Sequence, residues 1–160
     1  MDIAVKFDYK DALKEFNNSV KKLEELAQKR VVIKIDENAI YDNGMKVETI
    51  AFYMEFGSDK LNVHYPARPF WRMTLSKYES YINNRYRANL QALLENKISV
   101  NQFYEDLGKQ FKDYLIATIK EGNFVPLAKS TLKNRERKGI GTQPLLDSRT
   151  LINSIIYEVV

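Results

Sequence analysis

Cysteine is absent from this chain and histidine occurs once, as His64. The first absence excludes disulfide frameworks, thiolate zinc sites and cysteine nucleophiles together. The second leaves too little imidazole for a multi-histidine metal centre or a histidine-based catalytic unit. No catalytic residue, metal ligand or cofactor site is therefore assigned, and the chain is read as a non-enzyme. Glycine and proline are sparse, at six and four residues, and no apolar run approaches the ~20 residues that cross a bilayer. The start, MDIAVKFDYKD, has neither the basic head nor the apolar centre of a signal peptide. These absences predict a protein that stays in the cytoplasm, with no membrane partner. A phosphate-cradling loop is missing too, since Gly139-x-Gly141 lacks the following Lys-Ser/Thr, and no small-molecule substrate is expected.

What remains is ordinary globular composition, 44% hydrophobic and 29% charged over 160 residues, which predicts one domain spanning 1–160. The net charge is +4. Residues 126–160 hold six basic side chains against three acidic ones, so most of the excess sits in that stretch. Ten Tyr, eight Phe and one Trp supply the apolar bodies and polar tips that suit protein interfaces.

Periodicity divides the chain into elements. Ile3, Val5 and Phe7 alternate and predict a short strand. Leu13, Phe16, Val20, Leu23 and Ala27 recur at spacings of three and four, which predicts an amphipathic helix over 9–29 capped by Asp8 or Asp11. That helix is expected to lie on a sheet, with coiled-coil pairing as the alternative. A β-branched run at 31–36 predicts a strand with Val31, Ile33 and Ile35 facing the core. Asp42-Asn43-Gly44 marks a turn. Val47, Ile50, Ala51 and Met54 fit a short helix ended by Gly57 as a left-handed cap.

Pro69 suits the first turn of a long helix reaching about residue 96, with Trp71, Leu75, Tyr78, Ile82, Tyr86, Leu90 and Leu93 on its stripe. Ser99 and Gln102 have capping-box spacing and predict a second helix running to Gly122. The two together form an αα-hairpin at about 69–122. A helix over 127–138, a break at 139–142, a helical turn at Leu151 capped by Asp147 or Ser148, and a strand over 154–160 complete the order. The expected fold is α+β: a small antiparallel or mixed β-sheet packed against helices, with the long αα-hairpin inserted between the sheet-forming parts.

Few residues point to chemistry. The acid nearest His64 is Asp59 in the same loop, which fits a surface contact. Glu24 with Glu25, and Glu105 with Asp106, are adjacent on helices, where neighbours point apart, so neither is a carboxylate dyad. Lys129, Lys133, Arg135, Arg137 and Lys138 form a basic stretch that suits DNA phosphates, or else solvent or a protein partner. The richest constellation is IAFYMEFGS at 50–58 followed by PARPFWR at 66–72. Its candidate interface residues are Phe56, Gly57, Pro66, Arg68, Pro69, Phe70 and Trp71. Two prolines stiffen the loop, which lowers the entropy cost of docking. Arg68 is either a docking arginine or a partner of Glu55; Phe70 and Trp71 are either anchors or core.

These segments resemble the "IAxYxEFGT … PARPFLR" signature of the tail-completion and head–tail joining (neck) proteins of tailed bacteriophages. PLAKSTLKNRERKG and PLLDSRTLINSIIYEVV are similar to the second half of that signature, PLxxSTLxxR followed by PLxDTGxLxxSIxYxV. The likeness covers about 50–72 and 126–160 and leaves the hairpin unmatched. Ser58 replaces Thr and Trp71 a smaller apolar residue. Arg149 stands where the pattern has Gly, which disfavours a positive-φ turn there and lets Ser148-Arg149 continue as helix. The resemblance implies a virion structural protein without enzymatic turnover, present in the host cytoplasm during assembly and then in the tail or neck. It implies a homo-oligomeric ring such as a hexamer, other tail or connector proteins as partners, and nonspecific contact with passing DNA. The alternative is a small prophage-encoded DNA-binding protein that uses the basic segment 129–138.

Overall fold

A computed structural model describes residues 9–59 and 64–160. The strand expected at Ile3, Val5 and Phe7, and Asp8 as a cap, lie outside the described residues. Along the chain come helix α1 (Lys10–Gln28), strand β1 (Val31–Ile35), α2 (Val47–Phe56), α3 (Phe70–Leu94), α4 (Val100–Glu121), α5 (Lys129–Arg137), α6 (Thr150–Asn153) and β2 (Ile155–Val159). The class is α+β as expected, and the sheet is antiparallel.

β1 and β2 pair with Val31 opposite Val159, Ile33 opposite Tyr157 and Ile35 opposite Ile155. Alternation along each strand puts these residues on one face. That face meets the hairpin and the core: Ile155 is fully buried, and Ile33 and Ile35 pack with Val47, Phe70, Leu115 and Ile119. Tyr41, Met45 and Gly44 close the turn at 42–44, with Gly44 at φ 79°.

α3 and α4 form the predicted hairpin. Ser99 begins α4 with a complete capping box: its Oγ accepts from the Gln102 amide at 3.2 Å and the Gln102 Oε1 accepts from the Ser99 amide at 2.8 Å. Gly122 ends it in the left-handed conformation. Between the helices the contact is aromatic and polar. Tyr78 and Tyr114 stack at 4.1 Å, and Arg85 donates twice to Asp106 at 2.6 Å. The hydrogen bonds from Arg85 hold the Asp106 carboxyl below the usual carboxylate range. A second core cluster of Leu26, Leu93, Val100 and Phe103 closes the hairpin tip.

Four expectations need correction. α1 does not lie on the sheet, whose inner face α4 occupies. It joins the hairpin tip instead, through Leu26 and through Lys22, whose Nζ donates to the Leu93 carbonyl at 2.6 Å. Asp11 sits in its first turn without capping it. Gly57 ends α2 at positive φ but not in the left-handed helical region: φ 75° with ψ 160° is extended backbone of mirror hand, open essentially to glycine. Arg149 does make the positive-φ turn that arginine disfavours, at φ 61° and ψ 5°, so Ser148-Arg149 do not continue as helix. The structure around Asp147 and Leu151 overrides local preference here.

A left-handed conformation costs a residue with a Cβ about 1–2 kcal/mol relative to glycine. Arg149→Gly is therefore expected to stabilise the protein by about 1 kcal/mol, read as a rise of roughly 2–4 °C in Tm. No helix among the described residues is long and apolar enough to cross a membrane.

Candidate interaction surface

The site is built where α2, the loop after it and the start of α3 meet. α2 buries Val47, Ala51 and Glu55 on one side, four residues apart each time, and so presents Phe52 and Phe56 on the other. Those two rings lie 4.8 Å apart and are 59% and 58% exposed, large values for phenylalanine. The Arg72 guanidinium stands 5.2 Å over the Phe56 ring. With Trp71 and Ile35 they line a shallow groove of about 320 Å³.

Glu55 is the fixed point beneath this groove. Its buried carboxylate accepts from the backbone amides of Trp71 at 2.9 Å and Arg72 at 3.2 Å, and from Arg72 Nε at 3.0 Å. A carboxylate at the first amides of a helix satisfies donors that the helix cannot, and meets the positive end of its dipole. Arg72 also donates to the Glu55 carbonyl at 2.7 Å. Glu55 thus takes the role that a side-chain cap at Pro69 would fill.

The placement of the candidate residues differs from expectation at several positions. Arg68 neither docks outward nor pairs with Glu55. It is buried, donating from Nε to the Val125 carbonyl at 2.9 Å and from Nη2 to the Pro126 carbonyl at 3.2 Å. Burial, with the Arg135 charge nearby, pushes its pKa below the ordinary arginine value. Phe70 is fully buried and belongs to the core, not to an anchor. Trp71 is half-buried and stacks on Phe111 at 5.9 Å. Pro66 and Pro69 are half-buried and brace the loop, while Phe56 remains on the surface. Gly57 lies close against the backbone of 65–67: a Cβ there would stand 3.1 Å from the Tyr65 carbonyl oxygen and 3.2 Å from the Ala67 amide nitrogen.

The basic segment separates into two roles. Lys129, Lys133, Arg137 and Lys138 are exposed. Arg135 is not available to DNA, being buried and donating to the carbonyls of Gly141 at 3.0 Å and Gln143 at 2.9 Å. It folds the 139–143 break back onto α5. Behind it, a cavity of about 250 Å³ lies between α2, Arg68, Arg135 and the 145–151 turn. Tyr41 lines that cavity, and burial beside the Asp147 charge raises its phenol pKa. His64 pairs with Asp59 at 2.5 Å, both largely exposed, on the loop beyond Gly57. No cluster of metal-ligating side chains occurs among the described residues.

Sequence reasoning missed Phe52 and the capping role of Glu55. The first had a legible signal: Phe52 and Phe56 are four apart, on the face opposite Val47, Ala51 and Glu55. The second had none, because the acceptor and the helix it caps are separated by a loop. The fold and this surface define an α+β chain with an apolar, arginine-flanked groove braced from beneath. No family model, curated protein or solved structure matches the chain.

Proposed function

We propose that this protein is a structural subunit of a tailed-phage virion that acts in tail completion or head–tail joining, assembling as a ring without catalytic turnover. One observation carries the reading. The segments that carry the resemblance, far apart in sequence, meet in a single unit. Glu55 of IAFYMEFGS caps the helix opened by PARPFWR, and Arg68 of that second segment bonds the carbonyls of Val125 and Pro126, where PLAKSTLKNRERKG begins.

A ring of identical subunits needs two different complementary patches on each protomer. The groove of Phe52, Phe56 and Trp71 supplies one. Tyr81 and Tyr86, exposed along α3 at 62% and 43%, supply the other. Lys129, Lys133, Arg137 and Lys138 then line a passage compatible with DNA. The competing reading, a DNA-binding protein, rests on those same four cations and predicts steeply salt-dependent binding.

The decisive test deletes the gene from its phage or prophage and images the induced lysate by negative-stain electron microscopy. Filled heads with separate or malformed tails are the expected result; normal joined virions overturn it. Complementation refines it. Phe52→Glu with Phe56→Glu removes only exposed rings, so the variant keeps its melting temperature within a few degrees. It is expected to restore no joined virions, whereas Lys133→Ala restores them.

A further inference from the structure

The cavity behind α2 carries more positive charge than the residues described around it balance. Arg68 is 5% exposed and Arg135 8%, and both line its wall. A buried charge is costly unless an opposite charge answers it. The oxygens these two reach are neutral carbonyls, at Val125 and Pro126 for Arg68 and at Gly141 and Gln143 for Arg135. Nη1 of Arg68 meets the Met54 sulfur, a weak acceptor, at 3.5 Å. Burial, then the charge of Arg135, disfavours the charged form of Arg68. The one carboxylate on the wall is Asp147, 3.6 Å from Nη2 of Arg135 and itself 56% exposed. Arg149 adds a third cation at the rim. Three arginines against one aspartate leave an excess of two positive charges.

Backbone strain gathers at the same place. Leu145 and Arg149, at φ 65° and 61°, are two of the three non-glycine residues at positive φ among the described residues, and both line the cavity. A bulky residue holds that conformation where its surroundings impose it, and such residues cluster at ligand clamps.

We infer that this cavity binds a small phosphomonoester, with Arg68 and Arg135 holding the phosphate, Arg149 adding a third charge from the rim, and the apolar wall receiving the ester's body. A phosphomonoester carries about −1.5 to −2 at pH 7, which matches the excess, whereas a single carboxylate answers half of it. Guanidinium forks also suit phosphate geometry. At about 250 Å³ the cavity far exceeds the ~10–15 Å³ that one water needs and falls just below the ~300 Å³ at which ligand pockets begin. The body is therefore small, and Met54, Leu127 and Leu145 line the wall that receives it. The inference is independent of the virion reading. Ile50 and Met54, which line this cavity, lie about half a turn round α2 from Phe52 and Phe56 of the groove.

Isothermal titration calorimetry of the full chain in phosphate-free buffer tests it, with phenyl phosphate as the probe and inorganic phosphate and benzoate for comparison. One phenyl phosphate per chain is the expected result. It binds at least about tenfold more tightly than inorganic phosphate, which lacks the apolar body, and than benzoate, which brings a single negative charge. Two substitutions at exposed side chains separate this cavity from the exposed cations of α5. Arg149→Gly, which is expected to raise Tm, weakens phenyl phosphate binding by about fivefold. Asp147→Asn removes the competing carboxylate and tightens binding by a similar factor. No saturable binding, inorganic phosphate or benzoate equal to phenyl phosphate, or an affinity that either substitution leaves unchanged each overturns the inference.

Discussion

Glu55→Ala is expected to lower the stability of the fold by about 2–4 kcal/mol. Losing a side-chain cap costs about 0.5–2 kcal/mol. Losing a negative charge at a partly buried helix N-terminus adds up to ~2 kcal/mol. The Trp71 and Arg72 amides are also left without their acceptor at a site where the replaced carboxylate is only 4% exposed. The Arg72 side chain is 58% exposed and regains water, so its share of the loss is small. Glu55→Gln recovers only part, because the amide nitrogen cannot accept. Urea denaturation reads the effect as a lower midpoint at unchanged slope. A loss below about 1 kcal/mol would mean that the opened α3 terminus is resolvated, and that Glu55 is not what holds the groove in shape.

The contrast between Glu55 and Arg68 shows where sequence reasoning stops. Both are charged members of one constellation, with Arg72 the third, and an ion pair between Glu55 and Arg68 is a sound local inference. Each found a different partner, Glu55 the amides of α3 and Arg68 the carbonyls at 125–126, because pairing is decided by which elements the fold brings together. Elements set by short-range chemistry were legible. The capping box at Ser99, the end of α4 at Gly122, the turn at Gly44 and the register-determining alternation of β1 and β2 each follow from residues within a few positions of one another. α1 lies between these cases: its stripe is plain in the sequence, yet nothing in one chain's periodicity says whether a sheet or a second helix covers it. Arg149 is the reverse case, since its own preference argued against the φ of 61° that its neighbours impose.

Gly108→Ala is expected to destabilise the protein by about 1–3 kcal/mol even though alanine is the better helix former by ~1 kcal/mol. Gly108 lies in the middle of α4, where the sheet crosses the helix at close range. A Cβ there would stand 2.5 Å from Cδ2 of Tyr157, 2.9 Å from its Cγ and 2.7 Å from Cγ2 of Val31. The Cγ is the root of a rigid ring and the valine methyl belongs to a β-branched side chain, so neither swings aside as a lysine tip would. Relief requires β1 and β2 to move away from α4, which loosens Ile33 and Ile155 from the core together. Gly108→Val enlarges the clash and is expected to abolish cooperative unfolding. An alanine variant with wild-type or higher Tm would show that the strands yield without cost, and that the sheet packs on α4 more loosely than these distances require. Nothing in the residues around Gly108 accounts for a glycine in mid-helix; its purpose lies in Tyr157, 49 residues further along the chain.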